Sequence, residues 1–442
     1  MIRNYWAQDV LSSRKMTFSR ILTAVVLAAA ALALVPSGAG AASVSGSISK
    51  LQSSGAIDST KAAYARAAYR DARSLRKRVK GARRTAMTMQ IRTVEAMARQ
   101  NRITGDRVTP LFTTLRVNTD WFSKNGPASA GRDERFGDSR IIFQYFAGRG
   151  WEFHPLSNFA KLNAVWTDKS TAARRALGKY AYELISWGVN REGALTWEYY
   201  FPFAGSKAPF ISSISQGTAV QALARAGNAL KDPAITAAGS KAVKSFQVNA
   251  PVGLRVAREE GNHYIGYSGN RRMLILNMFL QSLDGLHDFS KITDDPVAWE
   301  LYREGLKAAR RDTAASDTGA WSLYAVGRNE SDLHYHRLVT QFLEKICGET
   351  GEAIFCDTRT RFNSYLTQKP VVSRVKKSVK RGRIVVKFKL SKISTVRLRG
   401  TGGLAVATVG RGNRSFSVKR KGSTKVTLVV TDLAGNKTTV SK

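Results

Sequence analysis

Along the first four-fifths of the chain, apolar residues recur at three- and four-residue intervals, the spacing of one helix face. The stretch 59–100 is rich in Ala, Arg and Met, contains no proline, and reads as two helices broken at Gly81. Tyr64, Ala68, Leu75 and Val79 fall near one face of it. Further on, Ile214, Val220, Leu223 and Leu230 define a second helix, and Leu276, Phe279, Leu280 and Leu283 a third. Asp295 ahead of Pro296 is a helix start, and Leu338, Phe342 and Ile346 mark another helix. From about residue 371 the period changes. GRIVVKFKLS, STVRLRG, GLAVATVG, SFSVKRKG and TKVTLVVTD alternate or cluster β-branched residues between Gly and Ser turns. They predict six or seven short strands in a small immunoglobulin-like β-sandwich.

At 442 residues the chain has room for two or three domains. Arg14, Lys15 and Arg20 precede the apolar run Ile21–Val35, followed by Pro36 and the small residues AGAA. A basic start, a short apolar core and a small-residue site predict a signal peptide over 1–41, with Met16 an alternative start and an uncleaved anchor the rival reading. The expected order is then a helical segment over 42–133, a helical domain over 134–369, and the β-sandwich over 371–442. Paired helices with aromatic-rich connections suggest a shared axis, with the connections at one end lining a cleft.

Charge alters this picture. The chain holds 70 Lys and Arg against 32 Asp and Glu, a net +38. Residues 371–442 hold nineteen of those cations and a single acid, Asp432. Such a field attracts polyanions. Export argues against nucleic acid and for acidic glycans, an anionic cell-wall polymer or anionic lipid. The expected roles are an acidic polysaccharide substrate for the helical domain and an anionic wall polymer for residues 371–442. The two cysteines, Cys347 and Cys356, lie nine positions apart and predict a local disulfide in an exported protein. Nothing in the sequence sets the oligomeric state.

Candidate chemistry is confined to tyrosines. There is no HExxH, phosphate loop or nucleotide-binding glycine fingerprint, and the five histidines form no metal set; no metal or cofactor is expected. Tyrosine instead recurs beside Gly, His and Arg at element boundaries: Tyr264 and Tyr267 in HYIGYSGNRR, Tyr324 in DTGAWSLYAVGRN, and Tyr335 in LHYHRL. The stretch from His263 to Arg272 is expected to face a polyanion, and Met273 onward to pack as a helix. Glu152, Glu198, Glu259, Asp284 and Asp317 are available for a glycoside hydrolase, yet no two of them form an opposed pair in the sequence.

Five segments in order resemble the C-terminal catalytic domain of the D-glucuronyl C5-epimerases. They are FQYFAGRGWEFHPLSNFAKLN from Phe143, SISQGTAVQALARA from Ser213, LNMFLQSLDGLHD from Leu276, DTGAWSLY from Asp317, and Tyr335-His336. The resemblance implies an (α/α) toroid of paired helices and inversion of glucuronate at C5 within a polymer. It places the catalytic tyrosines at Tyr267, Tyr324 and Tyr335. Removing a proton beside a carboxylate builds an enolate-like dianion, so cations or donors must face that carboxylate. Arg149, Arg271, Arg272 and Arg328 are the candidates, with Tyr264 and His336 as further substrate contacts. One departure matters. The family carries Glu before its first tyrosine and Pro after it, where this chain has Gly266 and Ser268. Glu259 and Glu260, just upstream, are the possible compensating acids. Expulsion of the C4 substituent after proton removal would make the same site a uronate lyase. Loss of the acid would leave a glycan-binding protein without catalysis.

Overall fold

The computed structural model describes residues 42–168 and 170–442; the expected signal peptide lies outside them. Among the described residues no helix is long and apolar enough to cross a membrane. The chain is mainly helical in its N-terminal and central parts and ends in antiparallel sheets. It divides into two compact units. One runs to Asn190 and adds Leu195–Phe210 and Ala229–Ile235; the other comprises Arg191–Ala194, Ile211–Asn228 and Thr236–Lys442.

The first unit opens with helices α1 (Val44–Ser53), α2 (Ser59–Arg78), α3 (Gly81–Arg99) and α4 (Gly105–Lys124). Gly81, at φ +58°, sits at the break expected there. The buried stripe of α2 is Ala62, Ala65, Ala68, Ala72 and Leu75, whereas Tyr64 is 41% exposed, contrary to the expected face. A sheet follows, with strands β1 (Asp133–Glu134), β2 (Phe143–Phe146) and β3 (Gly150–Phe153), and then helices α5 (Pro155–Thr167) and α6 (Thr171–Ser186). Asn118 of α4 clamps β3, its Nδ2 donating to Trp151 O at 2.6 Å and its Oδ1 accepting from Trp151 N at 2.8 Å. A Cβ on Gly150 would lie 2.2 Å from that Oδ1, so only glycine fits. Short strands β4 (Val189–Arg191) and β5 (Ala194–Thr196) follow.

Helices α7 (Ser213–Leu230) and α8 (Pro233–Val243) come next, then the hairpin β6 (Arg255–Arg258) and β7 (Gly261–Tyr264). The second unit continues with α9 (Leu276–Thr293), α10 (Pro296–Ala315), α11 (Leu333–Thr350) and α12 (Ala353–Tyr365). Asp295 caps α10 as its position before Pro296 predicts, accepting from Ala298 N at 2.9 Å. In α7 and α9 the predicted apolar residues are buried except Leu230, but α7 is buried nearly all round. Glycines make that possible. A Cβ on Gly285 of α9 would lie 2.1 Å from Gly217 O of α7, so the two backbones touch. The Cys347–Cys356 disulfide links α11 to α12 with the Cα atoms 4.9 Å apart.

Seven strands complete the chain: β8 (Val372–Lys380), β9 (Arg383–Leu390), β10 (Ser394–Gly400), β11 (Gly403–Val409), β12 (Gly412–Lys419), β13 (Val426–Asp432) and β14 (Lys437–Ser441). They form two antiparallel sheets, ordered β11–β10–β13–β14 and β12–β9–β8. Alternate residues of both sheets meet in one core built on Ile384, Val386, Phe388, Val396, Leu398 and Leu428. Hydrogen bonds join this region to the preceding part of the same unit. Lys392 Nζ donates to Tyr365 O at 2.8 Å, and Glu330 accepts from Ile393 N at 2.8 Å and Arg411 N at 2.7 Å.

Candidate functional site

The Tyr267 segment is held by backbone from three directions. Ile265 N donates to Leu254 O at 2.9 Å, and Ser268 N to Ile211 O at 2.9 Å. Ile211 N returns a bond to Ser268 Oγ at 3.1 Å, which ties the turn to the chain entering α7. Asn270 N donates to Tyr267 O at 2.9 Å and closes the turn, with the Tyr267 ring buried. Residues 274–276 then pair with the segment that carries Tyr324. Val326 N donates to Leu274 O at 3.0 Å, and Leu276 N to Tyr324 O at 3.3 Å. Tyr335 lies in the first turn of α11, where its N–H bonds Asp332 Oδ1 at 2.8 Å. That turn brings the Tyr335 ring to 4.8 Å from the Tyr324 ring, inclined at 58°. The short ladder between 274–276 and 324–326 thus joins the stretch after Tyr267 to the Tyr324 segment, the ring contact adds Tyr335, and Tyr324 retains partial exposure.

Arg271 and Arg272 are exposed in the turn between Tyr267 and α9, and Arg328 is exposed in the turn after Tyr324. Arg149 belongs to the first unit, where its guanidinium lies 5.3 Å from the Phe201 ring centre and 5.6 Å from that of Phe203.

Four expectations need correction. Tyr264 is a core residue, wholly buried, its hydroxyl donating to Leu301 O at 2.6 Å; burial pushes that hydroxyl well above its ordinary pKa. His263 is buried beside it, with Nδ1 2.7 Å from Asp312 Oδ2, so the polyanion-facing stretch starts later than expected. His336 is equally structural. Its ring stacks on Trp321 at 3.8 Å, Nε2 donates to Phe362 O at 2.9 Å, and Nδ1 accepts from Ser322 N at 3.3 Å. Glu259 and Glu260 form the exposed tip of the β6–β7 hairpin, with Glu260 paired to Arg311. The four residues of β7, at about 3.3 Å each, carry the chain away from that tip before Tyr267 is reached. A Cβ on Gly266 would lie 2.6 Å from Met278 Sδ and 3.2 Å from Ile275 Cδ1, so the space for the family's acid is taken by packing.

Four of the five hydrolase candidates are engaged elsewhere, and the fifth, Glu259, stands at the exposed hairpin tip. Glu198 takes a two-point bond from Arg107, at 2.8 Å for each contact, and Glu152 accepts from Gln90 Nε2 at 2.6 Å. Asp284 binds Gln221 Nε2 at 3.0 Å and pairs with Lys345. Asp317 turns the chain by accepting from Gly319 N at 2.9 Å and pairs with Arg361 at 2.8 Å. His287, Asp288 and Glu349 also converge. There Gln221 bonds Asp288 at 2.9 Å and Tyr302 bonds Glu349 at 2.9 Å, while His287 Nδ1 is buried without a hydrogen-bond partner among the described residues.

Two polar atoms on residues next to the tyrosine-holding segments are left over; Asn277 is buried as its place within a helix suggests, but its Oδ1 lacks the bond expected of it. Ser212 Oγ and Asn277 Oδ1 are buried without a hydrogen-bond partner among the described residues. Ser212 follows Ile211, which holds the Tyr267 turn, and Asn277 follows Leu276, which bonds Tyr324 O. A buried acceptor without a donor costs about 1–3 kcal/mol. A hydroxyl-rich ligand would supply the donors. No sequence pattern marks an orphan atom, because orphanhood is a property of the neighbours.

His336 makes acid stability testable. Burial lowers its pKa to about 4, below the ordinary 6.5. Its contribution to stability is therefore complete above pH 6.5 and is lost as pH falls from there toward 4, amounting to about 2 kcal/mol by pH 5. Urea titrations of the parent and His336→Gln at pH 7.5 and pH 5 are expected to show the parent's advantage shrinking by that amount. A constant gap would contradict a neutral, buried His336.

Comparison with known proteins adds to this geometry. Residues 191–364, which hold all three tyrosines, match the family described as the D-glucuronyl C5-epimerase C-terminus. A D-glucuronyl C5-epimerase of Caenorhabditis elegans is 28% identical over 174 residues, covering 35% of this chain and 28% of that protein. An uncharacterized protein of Methanocaldococcus jannaschii is 23% identical over 168 residues, covering 36% of this chain and 54% of that protein. The chain therefore spans about a quarter and about half of these relatives' lengths. Among solved structures, cellobiose 2-epimerase from Bacillus thermoamylovorans aligns with a TM-score of 0.41 at 10% identity, covering 67% of this chain and 78% of that one. An endo-β-1,4-glucanase from Acetobacter xylinum gives 0.37 at 13%, covering 52% and 74%. The likeness to the D-glucuronyl C5-epimerase C-terminus thus rests on residues 191–364, the stretch that carries the three tyrosines.

Proposed function

We propose that this protein is an exported polysaccharide C5-epimerase that inverts uronate residues within an acidic glycan. The observation that carries the reading is the meeting of the Tyr324 and Tyr335 rings, 4.8 Å apart, with the Tyr324 segment laddered to the stretch that follows Tyr267. Inversion needs a base on one face of the sugar and an acid on the other. In this reading Tyr267 serves one face and the Tyr324–Tyr335 pair the other, with Arg271, Arg272 and Arg328 near the uronate carboxylate as charge develops on it. A hydroxyl near pKa 10 must be lowered to act as a base at neutrality, and cations do this while burial opposes it. Ser212 and Asn277 would orient the sugar through its hydroxyls. The paired-helix toroid and the immunoglobulin-like sandwich are part of the same reading.

The packed site of Gly266 favours a second reading, a glycan-binding protein that has lost catalysis. Proton NMR in D2O with glucuronate-containing polymers separates the two. Deuterium at C5 with an iduronate signal is the expected result. Unsaturated chain ends would instead mean a lyase, and binding without exchange the non-catalytic reading.

A further inference from the structure

The seven C-terminal strands sort their cations by face. In the β12–β9–β8 sheet, Lys376 is paired directly with Lys387, Lys380 with Arg383, and Arg383 with Lys419. Directly opposed residues of antiparallel strands project to the same side. Ile384, Val386, Phe388 and Leu390 take the core side of β9, which leaves Arg383, Lys387 and Lys389 on the outer side with Lys376, Lys380 and Lys419. All six are exposed. The three strands contain no acid, and Asp432, the single acid of the region, is buried against Lys392 at 2.7 Å. Among the described residues none of the six is paired with a carboxylate.

Like charges directly opposed across a sheet oppose folding. Three such pairs on one face, with no carboxylate paired to them among the described residues, point to a partner that offsets them. The other sheet is different. Its outer positions on β10 and β11 are Thr395, Arg397, Arg399, Leu404, Val406 and Thr408, a mixed surface with two cations.

We infer that the outer face of β12–β9–β8 docks a linear carboxylated polysaccharide. Along a strand its cations stand two or four residues apart, about 7 Å for Lys387–Lys389 and about 13 Å for Lys376–Lys380 and Arg383–Lys387, and between strands about 5 Å, a flat array suited to charges repeated along an extended chain. Phe388 is buried and Phe416 packs toward it, so these strands offer no exposed aromatic platform for bases. Their exposed large apolar residue, Val379 of β8, is registered opposite Ile384 and so lies off the cationic face, without the exposed Trp, Phe or Leu that anchor a protein in a bilayer. Lysine, as a mobile point charge, suits carboxylates of variable pose better than fixed two-point recognition. The choice of a carboxylated sugar rests on the proposed function of the helical part of the same chain; the cationic face itself does not.

The test uses the full chain and a variant with Lys376→Ser, Lys380→Ser, Lys387→Ser and Lys389→Ser, all at exposed positions. Binding to poly(glucuronic acid) is expected to weaken at least tenfold in the variant and to depend less steeply on salt. Unchanged binding overturns the proposal, as does no binding by the parent. Tighter binding by the parent to duplex DNA or to phosphatidylglycerol vesicles overturns it in favour of those partners. C5 deuterium incorporation into a short glucuronate oligosaccharide, measured in both proteins, is expected to be equal. If neither protein exchanges C5 while polymer binding still falls with the lysines, the docking face stands and the epimerase reading alone fails.

Discussion

Tyr324→Phe is expected to lower C5 deuterium exchange in a glucuronate polymer by about 10²–10⁴-fold, the contribution of a positioned acid or base. The hydroxyl sits on a ring 4.8 Å from Tyr335, on a backbone bonded to Leu276 and Asn329. Those bonds are main-chain, so they survive the substitution and the fold is expected to persist. Tyr264→Phe is the control. Its hydroxyl bonds Leu301 O, and losing that bond is expected to cost about 1 kcal/mol of stability with exchange unaffected. Equal losses of exchange in both variants would mean that general damage, and not a missing proton donor, explains the effect. Full activity in Tyr324→Phe would remove that residue from the proposed chemistry.

The largest effect on stability is expected from Lys392→Met, about 3–5 kcal/mol, because it leaves the Asp432 carboxylate buried without its cation. Lys392 is 1% exposed and holds Asp432 Oδ2 at 2.7 Å while donating to the backbone of Tyr365. Its ammonium also lies 5.3 Å from the Trp321 ring centre, three residues before Tyr324. Replacing both charges, by Lys392→Met with Asp432→Leu, is expected to recover most of the loss, since two apolar groups need no desolvation. Urea unfolding of the three proteins decides the matter. A single variant within 1 kcal/mol of the parent would show that water reaches the pair.

The same pair shows where sequence reading stops. Nineteen cations in residues 371–442 are visible by counting, and the alternation that predicts strands is visible by inspection. Which cation is buried, and which six share an outer face, follows from pairing partners such as Lys376 with Lys387. Strand register depends on residues far away in the chain. Tyr264 and His336 illustrate the same limit. Both lie beside glycine or arginine and look like cleft residues, yet their polar atoms are spent on Leu301 O, Phe362 O and Ser322 N.

Local order along the chain was sufficient for the helix break at Gly81, the cap at Asp295, the nearby cysteine pair and the family segments bearing Tyr267, Tyr324 and Tyr335. Each of these depends on a few neighbouring residues, whose spacing alone carries the physical constraint. Tertiary structure decided that Tyr324 meets Tyr335, that Met278 fills the space beside Gly266, and that Ser212 and Asn277 keep unsatisfied acceptors. Burial and hydrogen-bond completion belong to the set of neighbours that folding assembles, and no single stretch of sequence contains that set.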